Sequence, residues 1–292
     1  MIKYVKEERR LSIFTDILIF VLLSLAAFLI LSIFKEIMVA SSLSSDTYMQ
    51  VENLSDLTEV ENVEYVNKIK EEFFVNIKYG KSQEEIAKTI NATVLDDSGI
   101  INNNLKSIYS ALSKYNKAMF SNFNKEGYKL NIILLDDFNN ENLALASRNN
   151  LNQFTIYLSN VARIDRALHH EMCHILEYYM ADKGVRFNDW ENLNPEEFKY
   201  VNSVDNISSD FVYYFSKYAE ENIDETYFVT KYAKVNAKED RAEIFAEIMS
   251  TTQDLIYIED KTPIYYKYIS IFNTFKLNIP EAKFNNYYNI AF

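Results

Sequence analysis

The sequence predicts an α+β fold: a helix-rich domain with a small sheet, preceded by one transmembrane helix. Three observations carry that expectation. Four glycines and three prolines among 292 residues, set against 22 tyrosines and 20 phenylalanines, favour long helices and aromatic packing over a turn-rich β fold. Two short runs of β type, residues 129–135 and 154–158, stand ahead of a strongly amphipathic helical stretch. Residues 17–34 read ILIFVLLSLAAFLILSIF, without a single charge.

The apolar run comes first in the chain. A membrane-spanning helix needs about 20 such residues, and Leu11 to Ile13 extend this one. Lys3, Lys6, Arg9 and Arg10 precede it, while Asp46, Glu52, Asp56, Glu59 and Glu61 follow. The excess of positive charge on the short side places residues 1–10 in the cytoplasm and the rest outside. A cleavable signal peptide competes, with Ala40-Ser41-Ser42 as a cleavage site. Its apolar region normally runs to about 7–15 residues, so a retained signal anchor over 11–36 is preferred. Residues 37–60, rich in serine and acidic side chains, read as a tether.

Residues 61–292 are long enough for one well-buried core. Within them, 73–79 suggests a strand, 82–90 a short helix capped by Ser82, and 105–120 a helix. Strands at 129–135 and 154–158 follow, the second leading into a helix through 161–180. Beyond Met180 the pattern is mainly helical, with Pro195 and Pro263 at helix starts. A net charge of −12 argues against nucleic acid or anionic lipid as a partner. A single cysteine excludes an internal disulfide.

The chemistry concentrates in one segment. All three histidines fall within Ala167-Leu168-His169-His170-Glu171-Met172-Cys173-His174, whose last five residues read HExxH. One helical turn separates His170 from His174, so both imidazoles can face one zinc ion. Glu171 lies about 100° round the helix, placed to reach a water on that ion without binding the ion itself. His169 points away from the pair, toward a surface or supporting role, and Cys173 serves as a small apolar residue. A catalytic zinc usually takes three protein ligands. No histidine remains, so the third must be a carboxylate, and many lie downstream between Glu191 and Glu247. Spacing alone does not choose among them.

A second segment, 228–247, reads FVTKYAKVNAKEDRAEIFAE. With HExxH it resembles the paired motifs of bacterial zinc-binding metallopeptidases of gluzincin type. More loosely it resembles the catalytic domain of anthrax lethal factor and the Pro-Pro endopeptidases. Arg241 departs from the aromatic residue the group prefers at that place. The resemblance covers roughly residues 150–250. It implies an α+β zincin domain over 61–292, with Glu239 as third ligand to one zinc ion and Tyr232 facing the substrate oxyanion. It also implies peptide or protein substrates, hydrolysed with Glu171 as general base. A competing arrangement exists: Asn236-x-x-Glu239 is also a capping box, which would leave Glu243, one turn on, as the ligand. Another class of protein also fits, a surface binding module in which zinc is a structural clip. Such a site would be closed by four protein ligands, and no fourth is evident.

Overall fold

The computed structural model describes residues 54–139, 143–150, 152–201, 227–250 and 262–284. The apolar run at 17–34 and its charged flanks lie outside the described residues. Among the described residues, no helix is long and apolar enough to cross a membrane. The chain divides into two compact units, Met1–Leu57 and Thr58–Phe292, and the elements that matter for chemistry belong to the second.

Helix α1 (Leu54–Phe73) begins inside the stretch expected to be a tether. Its Asn62 is almost fully buried: Nδ2 donates to the Ser98 carbonyl and Oδ1 accepts from Asn102. Strand β1 (Val75–Lys78) follows. The expected helix at 82–90 is shorter, one 3-10 turn (Lys81–Gln83) and then α2 (Glu84–Thr89). Ser82 does not cap it, since its hydroxyl donates back to the Tyr79 carbonyl. After β2 (Ala92–Val94) come two helices where one was expected over 105–120. These are α3 (Ser98–Leu112) and α4 (Lys117–Lys125), each opened by a side-chain cap: Asp97 accepts from the Ile100 amide and Asn116 from Ala118.

Strand β3 (Lys129–Phe138) is the centre of a five-stranded sheet. It pairs in parallel with β1 and with β5 (Gln153–Leu158), with Ile132 opposite Ile77 and Ile156. It also pairs antiparallel with β2. Strand β4 (Ala144–Asn150), absent from the sequence-based expectation, pairs antiparallel with β5 and forms an edge, with Ala146 opposite Ile156.

Alternation along the strands gives the sheet two apolar faces. Leu130, Ile132 and Leu134 join Phe154, Ile156 and Leu158 in the large core, which also takes in buried residues of α1, α3, α4 and the helices that follow. Ile133, Leu135 and Tyr157 face the other way, against Ala87 of α2.

From β5 the chain enters α5 (Ile164–Asp182), which carries HExxH. Leu168, Met172, Cys173, Ile175, Leu176 and Tyr179 are all fully buried, so the helix is fixed within the core. Gly184 (φ +77°) ends it in a conformation other residues rarely adopt. Contrary to the helical expectation beyond Met180, residues 183–201 are turns around a single 3-10 turn (Trp190–Leu193), and Pro195 starts no helix. Helix α6 (Ala237–Ser250) packs along α5. Helix α7 (Pro263–Asn278) starts at its proline as expected, with Thr262 as cap.

Candidate metal centre

Two helices bring the motifs together. On α5, His170 and His174 stand one turn apart with ring centroids 5.0 Å from each other. On the first turn of α6, Glu239 turns its carboxylate toward both: Oε2 lies 3.0 Å from His170 Nε2 and 3.4 Å from His174 Nε2. These three donors form the one cluster of metal-ligating type among the described residues, all within 4.8 Å of one another. A tetrahedral zinc with bonds of about 2.0–2.2 Å spaces its donors by roughly 3.4 Å. Two imidazoles and a carboxylate at these separations fit that ion. Of the other downstream carboxylates, Asp205, Asp210, Glu220, Glu221, Asp224 and Glu225 lie outside the described residues.

Glu239 and Glu243, the two alternatives for a third ligand, stand at different places around His170. Asn236 does cap α6, its Oδ1 accepting from the amides of Lys238 (2.9 Å) and Glu239 (3.1 Å). The Glu239 side chain nevertheless points at the histidines. Glu243, one turn further, sits behind His170, with Oε1 2.7 Å from Nδ1. A carboxylate there fixes the tautomer that leaves Nε2 free to bind metal. Arg166 holds the same carboxylate, with NH2 at 3.0 Å and NH1 at 3.4 Å, and its Nε reaches Glu247 at 3.3 Å.

Glu171 is buried beside the pair, and the backbone N–H of Ala146 on edge strand β4 donates to it. Burial pushes its carboxyl above the ordinary range, against the pull of His170 and His174. Tyr232 lies in a short 3-10 turn (Tyr232–Lys234), its ring centroid 5.9 Å from that of His170. Burial and the neighbouring charges of Glu239, Glu171 and Glu243 raise the Tyr232 hydroxyl above its usual value, so it stays a protonated donor. Burial disfavours a charged His170, but its hydrogen bonds to Glu239 and Glu243 outweigh that and push it up to about 10. Burial likewise opposes ionisation of Glu239 and Glu243. His170 and His174 hold Glu239 well below the carboxylate range, and Arg166 with His170 does the same for Glu243.

Two supports lock α6 in place. Asp240 and Lys267 are fully buried, and Asp240 Oδ2 accepts from Lys267 (2.7 Å), Tyr200 (2.8 Å) and Trp190 (3.0 Å). Arg241 donates to Glu177 of α5 from NH2 at 3.0 Å and lies over the Phe187 ring. The guanidinium therefore does the work expected of an aromatic there: it covers a ring and binds the two helices together.

Of the two alternatives for His169, the surface one does not hold. The side chain is fully buried, with Nδ1 2.8 Å from the Tyr115 hydroxyl, and burial pushes its pKa well below the usual histidine value. Cys173 is a buried free thiol, as its place in the motif suggested. Arg166 and the Asp240–Lys267 pair were not singled out from sequence. Asp240 stands in the second motif, but its partners lie 27 to 50 residues away, beyond the reach of local pattern.

The model of a family described as "Putative zinc-binding metallo-peptidase" matches residues 106–262, a span that includes both motifs. Among solved structures, the chain is similar to a protein of Bacteroides caccae ATCC 43185 that carries the same description. The two share 16% identity over 81% of this chain and 92% of that one, with a TM-score of 0.46. No curated protein matches.

Proposed function

The chain belongs to the putative zinc-binding metallo-peptidase family, and we propose that it is a zinc-dependent peptidase with a gluzincin-type site. His170, His174 and Glu239 would hold one zinc ion. The observation that carries this reading is the convergence of three ligand-type atoms from two helices, with Glu171 beside them and Glu243 behind. A zinc bound there would act as a Lewis acid toward the scissile carbonyl and lower the pKa of a water. Glu171 takes the proton from the attacking water and delivers it to the leaving amine. Its raised pKa suits a group that must both accept and release a proton. Tyr232 donates its hydroxyl hydrogen to the oxygen that gains charge in the transition state. Edge strand β4, beside Glu171, ends the sheet on that side, where an extended peptide would add as a further strand. A zinc clip in a binding module is less favoured, since among the described residues the cluster supplies three ligands, not four.

Cleavage of a peptide library by the full-length chain, with zinc and then with a chelator, tests this. Chelator-sensitive cleavage restored by zinc is expected. Cleavage indifferent to chelator would rule out the metal mechanism, and zinc binding without cleavage would favour the clip.

Anchoring in the cell membrane with the catalytic domain outside is a further part of the proposal, resting on the apolar run at 17–34 and its charge asymmetry. Protease added to intact cells should remove the domain carrying His170. Protection until the membrane is broken would sink that orientation.

A further inference from the structure

Arg166 lies one turn before His170 on α5 and is almost entirely buried. Nothing in the motifs requires a cation there. Its guanidinium spans two carboxylates of α6: both NH groups reach Glu243, and Nε reaches Glu247. Glu243 is itself buried and spends Oε1 on His170 Nδ1. An unpaired carboxylate at that depth would be costly, whereas one gripped by a planar guanidinium has a fixed orientation.

Charge counting points the same way. Glu171, Glu239 and Glu243 place three carboxylates around His170. A divalent ion supplies two positive charges, and Arg166 supplies the third. Glu247 is more than half exposed, so water can meet its needs.

We propose that Arg166 is a positioning residue for the metal centre: by clamping and neutralising Glu243 it fixes the His170 imidazole with Nε2 toward the ion, and so sets the affinity for a divalent cation. The inference rests on the reading of His170, His174 and Glu239 as zinc ligands. Arg166 acts through Glu243 and touches neither ion nor substrate.

The test is the zinc dissociation constant of the full-length chain, measured by competition with a chromophoric chelator, with folding followed by circular dichroism. Arg166→Met should weaken zinc binding by about 10–100-fold. Arg166→Lys, which keeps the charge and loses the two-pronged grip, should fall in between. Glu247→Gln should change affinity by less than about fivefold, as for an exposed ion-pair partner. The double variant Arg166→Met/Glu243→Gln should bind zinc no more weakly than Glu243→Gln alone, because the arginine then has nothing left to act through. Parent-like affinity in Arg166→Met, or losses that add in the double variant, would overturn the proposal. If Arg166→Met fails to fold, Arg166→Lys decides it, with unchanged affinity as the contrary result. A parent chain that binds no zinc would instead remove the ligand reading, and this inference with it.

Discussion

Glu243 holds His170 from behind, its Oε1 2.7 Å from Nδ1, while Glu239, one turn earlier on the same helix, meets the opposite nitrogen at 3.0 Å. The two glutamates thus take opposite ends of one imidazole, and in the proposed site only Glu239 would meet the ion. Glu239→Ala should lose zinc on dialysis against a weak chelator, whereas Glu243→Ala should keep a measurable site weakened about 10–100-fold. Zinc stoichiometry by elemental analysis distinguishes them, and the reverse order would move the ligand one turn along α6.

Tyr232 should matter only once charge develops on the substrate oxygen. Tyr232→Phe is expected to bind zinc and substrate normally and to lower kcat by about 10²–10³-fold, with little change in KM. Steady-state kinetics on one cleavable peptide decide this; loss of zinc would mean that the second motif has a different role.

The site has a pH signature of defined sign. With zinc removed by chelator, His170 has a pKa of about 10, above the ordinary histidine value. A raised pKa contributes stability that is full below about 6.5 and lost as pH rises toward 10. Zinc must displace that proton, so its binding should release a proton and strengthen as pH rises across the same window. Melting temperatures with and without zinc should therefore diverge with increasing pH. A zinc-induced shift that is constant over this window would contradict the assignment of His170.

The buried Asp240–Lys267 pair supports the first turn of α6, which carries Glu239. Burial raises Asp240 and lowers Lys267 relative to their usual values, so desolvation outweighs pairing for each. Removing one partner leaves a buried charge, and Lys267→Met should cost about 3–5 kcal/mol in denaturant unfolding. Adding Asp240→Asn should recover part of that loss. A double variant as unstable as the sum of the two singles would show that the pair is not coupled.

Much of this arrangement was legible in sequence because its signals are local. HExxH fixes its own geometry within one turn, and the strands at 129–135 and 154–158 carry dense apolar runs. Strand β4 was missed because ALASRNN is mostly small and polar, as an edge strand can be. The break between α3 and α4 was hidden by apolar residues on both sides, although Asn116 is an ordinary capping residue. The serine-rich and acidic composition that suggested a tether concealed the start of α1, whose Asn62 is held by groups on α3. Arg166 met Glu243 across 77 positions, and no local pattern encodes such a contact.

Glu171→Gln separates the metal from the proton acceptor in the proposed hydrolysis of peptides. That variant removes the acceptor and leaves His170, His174 and Glu239 untouched. Zinc content and peptide cleavage should be measured on the same preparation of the full-length chain. Parental zinc stoichiometry with cleavage reduced by about 10²-fold or more is expected; cleavage at the parental rate by the zinc-loaded variant would show that Glu171 is not the proton acceptor.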